Sequence, residues 1–120
     1  MLALRYRRVA VVLPGDIGRE GELRLLPRIA RAPITVLKAP HHGSATSSTP
    51  ELLDALRPAA VVFSAGRDNR FNHPHPTVVA RYRDRGVIAY STATDGAVIL
   101  ETDGDRVELR GWRGRAKTLR

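Results

Sequence analysis

Three short aliphatic runs constrain this chain most: VAVVL at Val9–Leu13, ITVL at Ile34–Leu37 and AAVVFSAG at Ala59–Gly66. Each is β-branched or aliphatic without polar alternation, and each stops at a loop marked by Pro, Gly or His, so all three read as buried strands. Helical patterns separate them. REGELRLLPRIA places Leu23, Leu26 and Ile29 on a short helix broken by Pro27. Ser48 or Thr49 caps the next helix, with Pro50 in its first turn, Glu51 in the capping-box position after Ser48, and Leu52, Leu53 and Leu56 as the apolar face. Pro58 ends it. A third helix begins near Pro76, with Val78, Val79 and Tyr82 facing inward, Arg81, Asp84 and Arg85 facing water, and Gly86 as its stop. VIAYST, AVILET and RVELR follow as strands, joined by turns at Asp95-Gly96 and Asp103-Gly104.

This order predicts an α/β fold: a mixed sheet with helices on one face, finished by an antiparallel edge. A chain of 120 residues is enough for one domain with a real core. Residues 1–110 are assigned to that domain, and the basic, turn-rich GWRGRAKTLR of residues 111–120 to a frayed or partly docked tail. No apolar run approaches the roughly 20 residues of a membrane span. Arg5, Arg7 and Arg8 interrupt MLALRYRRVAVVL, which is neither an anchor nor a convincing signal peptide.

With no cysteine, disulfides and thiolate ligands are excluded, and any metal must be held by His, Asp, Glu or water. A formal charge of +8 and an isoelectric point near 11.2 favour polyanionic partners. Nearly all of that positive charge is Arg, which an Arg-biased genome also produces, so charge alone does not assign a nucleic-acid partner.

The chemistry-bearing residues leave the ends of the predicted strands: PGD at 14–16, HHGS at 41–44, and the NxxxHP of Asn69–Pro74. Strand ends of an α/β sheet are where ligands collect. A carboxylate and imidazoles converging there suit zinc, manganese or iron. Each motif also has a purely structural reading. Asp16 follows Gly15 as a turn or cap residue would, His73 and His75 flank Pro74 in what can be a rigid turn, and the hydroxyls from Ser44 to Thr49 can serve only as caps. Composition and spacing leave both readings open.

Taken together, VVLPGDIGREGE, LKAPHHGSATSSTPELLDALRPAAVVFSAG, NRFNHPHPTVVARYRDRG and TATDGAVIL resemble the extracytoplasmic metallo-β-lactamase-like domain at the C-terminus of the ComEC family of competence proteins, over nearly the whole chain, from about Val9 to Leu100. The most specific elements are HHGS followed by a capped helix and the NxxxHP loop. The resemblance implies a binuclear zinc or manganese site at the edge of a four-layer αββα sandwich. In it Asp16 matches the metal-bridging aspartate and the HHGS pair matches the final histidine ligand. His42 is favoured as that ligand, with His41 orienting substrate or a second ligand; Asn69, His73 and Ser44 then line the substrate side as donors to a phosphodiester. The implied activity is metal-assisted hydrolysis of single-stranded DNA during DNA uptake, at the extracytoplasmic face of a bacterial membrane.

The chain departs from the family pattern in one respect. The HxHxDH motif and a further histidine that supply most of the ligands are absent, and the histidines present are His41, His42, His73 and His75. A catalytic zinc takes three protein ligands. The chain is therefore expected to be the C-terminal half of such a domain, with weak or partial metal binding, no activity alone, and an apolar sheet face left exposed for the missing N-terminal half. An adjacent membrane channel is the other expected partner. Two further readings are another hydrolase of the same superfamily, such as a phosphorylcholine esterase or lactonase, and a non-catalytic DNA-binding module that uses the Arg-rich surface and tail.

Overall fold

In the computed structural model, which describes residues 1–120, the three aliphatic runs become neighbouring parallel strands: β2 (Val9–Leu13), β3 (Ile34–Lys38) and β4 (Ala60–Phe63). β5 (Ile88–Ser91) continues the parallel set beyond β4, and β1 (Leu2–Tyr6) lies antiparallel on the outside of β2, giving the order β1-β2-β3-β4-β5. The expected mixed sheet is present, with β1 added. Arg5 does not interrupt this strand, because an edge strand pairs through its backbone and tolerates charge: Leu2 pairs with Leu13 and Tyr6 with Val9.

The helices are α1 (Arg19–Leu25), α2 (Pro50–Leu56) and α3 (Pro76–Arg83). Pro27 sits in a 3-10 turn over Leu26–Arg28 that ends α1, as a residue without an N–H must. α2 and α3 cover one face of the sheet. Leu52, Leu53, Leu56, Val78 and Tyr82 pack there against Val12, Leu37, Ala39, Val61 and Phe63, and a fully buried side chain of this kind is worth about 1.5–3 kcal/mol. Of the two cap candidates, Thr49 caps α2, its Oγ1 accepting from the Leu52 N–H at 3.2 Å. Ser48 adopts a left-handed backbone and shares its hydroxyl with the buried Tyr82 phenol at 2.9 Å.

The C-terminal strands differ from expectation in three ways. β6 (Val98–Thr102), β7 (Val107–Gly111) and β8 (Ala116–Leu119) form a separate antiparallel sheet rather than an edge of the first. A single helical turn, α4 (Thr92–Asp95), joins β5 to β6 in place of a tight Asp95-Gly96 hairpin. Residues 116–119, read as part of a tail, are strand β8, paired with β7 and anchored by the buried Leu119. This second sheet lies on the face opposite the helices, where Val107, Leu109 and Leu119 pack on Val9, Ile34, Val36, Ala60 and Tyr90. The apolar face expected to be exposed is thus largely covered by the chain itself, and it stays open beside β1, where Leu2, Leu4 and Tyr6 are exposed. The layers run helix, five-stranded sheet, three-stranded sheet.

Candidate functional site

Because β2, β3 and β4 are parallel and adjacent, the loops that leave their C-terminal ends come out side by side. The first carries Asp16, the second His41 and His42, the third Ser64 to Gly66. Hydrogen bonds lace them together. The His41 N–H donates to the Gly15 carbonyl at 3.0 Å, and Nδ1 of His42 donates to the Ser64 carbonyl at 2.6 Å. Asp16 and His42, the two residues expected to bind metal, meet with Oδ1 and Nε2 3.3 Å apart.

The histidine turn is strained. His41 (φ 47°), His42 (φ 56°) and Gly43 (φ 84°) are all left-handed, a conformation that costs a non-glycine residue about 1–3 kcal/mol where the surroundings enforce it. Only glycine fits the third position: a Cβ on Gly43 would lie 2.7 Å from Pro74 Cβ and 2.9 Å from the Phe63 ring. Several bonds hold the turn. Ser44 N–H donates to the His41 carbonyl, His75 N–H to the Gly43 carbonyl, and the Ser47 hydroxyl to the Pro40 carbonyl at 2.8 Å.

The support beneath this turn comes from residues that are distant in sequence. The fully buried carboxylate of Glu22 accepts from the Ser48 and Thr49 N–H groups at 2.6 and 2.8 Å. Arg81 donates to the Ser47 and Ser48 carbonyls at 3.0 and 3.2 Å. Burial pushes the Tyr82 phenol pKa well up, so it stays protonated beside Ser48.

The bond to Ser64 fixes the chemistry of His42. A carbonyl can only accept, so Nδ1 carries the hydrogen, and in a neutral ring Nε2 is a lone pair aimed at the Asp16 carboxylate. Two acceptors facing each other at 3.3 Å are favourable only when Nε2 takes a second proton or a cation lies between them. A backbone carbonyl that fixes the tautomer from behind is also how metal-binding imidazoles are commonly oriented.

Of the remaining expected site residues, Asn69 and His73 line an open cleft of about 550 Å³ together with His42, Ser64, Arg67, Phe71 and Arg113, whereas His41 and Ser44 lie outside its lining. His73 stands edge-on to His41, with ring centroids 5.9 Å apart. Its pKa lies below the usual 6.5, first because burial disfavours the charged ring and then because His41, His42 and His75 are close. The Asn69 and Ser44 side chains are both engaged within their own loops. Asn69 Nδ2 donates to the Gly66 and His73 carbonyls while its Oδ1 accepts from the His73 N–H, so both amide hydrogens are taken by its own loop. The Ser44 hydroxyl is buried against Thr46.

No three or more His, Asp or Glu side chains converge in a metal-binding group. Asp16 and His42 supply two donors, which by themselves do not fit a two-ion centre. Sequence reasoning missed Glu22, Arg81, Arg67 and Arg113. Nothing in REGELR separates the buried Glu22 from the exposed Glu20, and Arg113 fell in the segment read as a tail.

The chain is 32% identical over 87 residues, 72% of its length, to ComE operon protein 3 of Bacillus subtilis. It is 33% identical over 101 residues, 84% of its length, to Recombination protein 2 of Haemophilus influenzae. It is 34% identical over 90 residues, 74% of its length, to Competence protein ComA of Neisseria gonorrhoeae. The chain is homologous to a segment of the competence proteins. It spans between 11% and 13% of the length of these relatives. No protein-family model matches it.

Proposed function

We propose that this chain is the part of a DNA-uptake protein that contributes Asp16 and His42 to a metal-dependent phosphodiesterase centre of the metallo-β-lactamase-like type. The observation that carries the reading is the His42–Asp16 pair: an imidazole held from behind through Nδ1 by the Ser64 carbonyl, its Nε2 meeting a carboxylate oxygen, on a strained turn at the strand ends. Strain of this kind concentrates at functional sites. Similarity to competence proteins supports the link to DNA uptake, and the layering of helices, mixed sheet and second sheet is compatible with part of an αββα sandwich. One carboxylate oxygen and one imidazole nitrogen suit zinc or manganese. In this reading His41 and His73 border the substrate, Asn69 and Ser44 shape the loops that hold them, and the centre faces outward from the membrane.

Two donors are too few for a working centre, so the other ligands come from outside this chain, and the chain alone is inactive. Calorimetric titration with manganese and zinc, run beside a single-stranded DNA cleavage assay, tests this. The expected result is one weakly held ion, lost in Asp16→Ala and His42→Ala, and no cleavage. Tight binding of two ions, or cleavage that Asp16→Ala abolishes, overturns the inactivity and the ligand count. DNA binding without uptake of either metal supports a non-catalytic DNA-binding module instead.

A further inference from the structure

One wall of the cleft has no part in the His42–Asp16 pair. Arg67 and Arg113 both donate to the Ala93 carbonyl, at 3.2 and 3.4 Å, and Arg113 also donates to the Thr94 carbonyl at 3.0 Å. A shared acceptor brings the two guanidinium groups together on the same wall. None of the molecule's ion pairs involves Arg67, Arg70 or Arg113. Like charges held side by side without a carboxylate repel each other, and an anion between them relieves that repulsion.

The rim beside them is aromatic. Phe71 is 63% exposed, stacked on His73 with centroids 5.7 Å apart and planes at 26°, and the Arg70 guanidinium lies 4.7 Å from its ring centroid. The loop carrying this stack is held by the Asn69 side-chain bonds and by the Asn72 N–H donating to the Asn69 carbonyl at 3.0 Å. An apolar ring on a braced loop at a cationic cleft calls for a ligand that is both planar and anionic. A simple phosphate would leave the ring unused, and a duplex keeps its bases stacked inside. An unstacked base with its phosphate uses both features. A cleft of about 550 Å³ is large enough for one such unit.

We infer that this wall is a subsite for one nucleotide of a single strand, whose base stacks on Phe71 and whose phosphate is held by Arg67 and Arg113, leading the strand toward Asp16 and His42. The inference rests on the nucleic-acid reading of the site given above, but it needs no metal. That separates the two tests.

Binding of a labelled oligothymidylate of about 8 nucleotides is measured by fluorescence anisotropy in EDTA over a range of salt. Phe71→Ala is expected to weaken binding about 10-fold, the scale of one lost base stack, while Phe71→Tyr restores it. Arg67→Gln and Arg113→Gln are each expected to lower the slope of log affinity against log salt by about 0.7. A duplex of the same length is expected to bind more weakly and to ignore Phe71→Ala. The subsite is overturned if Phe71→Ala leaves affinity unchanged, or if the duplex, or an abasic strand of equal length, binds as well as the oligothymidylate. Because Phe71 is exposed, its variants keep the fold, which circular dichroism verifies. Stacking-dependent binding supports the subsite even in a chain that takes up no metal, a result that would sink only the hydrolytic reading.

Discussion

The two loops that meet at the candidate site are built in opposite ways. The turn from Pro40 to Thr49 is held by its own backbone bonds, by Glu22 from α1, by Arg81 and Tyr82 from α3, and by the close fit of Gly43 against Phe63 and Pro74. The loop after β2 presents Asp16 with its side chain 67% exposed, and its one ion-pair partner is His42. Gly15, with φ +74°, has nothing within 4 Å of where a Cβ would sit. The imidazole side is held by bonds from several distant elements, whereas the Asp16 side chain is held by its one contact with His42. A left-handed histidine pair persists only where the surroundings outweigh its cost, and these surroundings do.

Breaking the held side should have the largest effect. Glu22→Ala leaves the buried Ser48 and Thr49 N–H groups without a partner, at about 1–3 kcal/mol each. Urea denaturation is expected to show a loss of about 2–6 kcal/mol, and a loss below about 1 kcal/mol would mean that Glu22 is not the anchor of the turn. Gly43→Ala comes next. It forces a Cβ into a left-handed position and into the 2.7 Å contact with Pro74, and the expected cost is about 2–4 kcal/mol. A stable Gly43→Ala protein with unchanged histidine resonances would show that the turn relaxes freely.

The exposed side gives the smallest effect. Asp16→Asn is expected to change stability by no more than about 0.5 kcal/mol, as for most surface substitutions. It should nevertheless shift the nitrogen resonance of His42 Nε2, because the facing oxygen loses its charge. If Asp16→Asn destabilised the protein as much as Glu22→Ala, the contrast between the two loops would collapse.

What could be read from residue order follows from local chemistry. The runs VAVVL, ITVL and AAVVF have no polar face to offer water, so they had to be buried strands, and the loops after them had to leave at strand ends. Ser48 or Thr49 ahead of Pro50 marked the start of α2 because capping is settled within one turn, and the structure chose Thr49. β1 and β8 were harder, since AKTL and LALRY carry their pairing in the backbone and show it only once β7 and β2 are beside them. The Asp95-Gly96 dipeptide looked like a hairpin turn. Asp95 instead accepts the Ser91 N–H at 2.8 Å, which closes a helical turn at the end of β5.

The sequence by itself determined that Asp16, His41 and His42 leave the ends of buried strands and that this chain supplies no thiolate, because strand patterning and ligand chemistry are properties of short segments. Only the tertiary structure decided the rest. It put Glu22 at full burial under the histidine turn, aimed Nδ1 of His42 at Ser64 so that Nε2 faces Asp16, covered most of the open sheet face with β6–β8, and gathered Arg67, Phe71 and Arg113 around one cleft. Each of these depends on groups more than twenty positions apart or on which way a side chain points, and neither can be read from residue order before the layers pack.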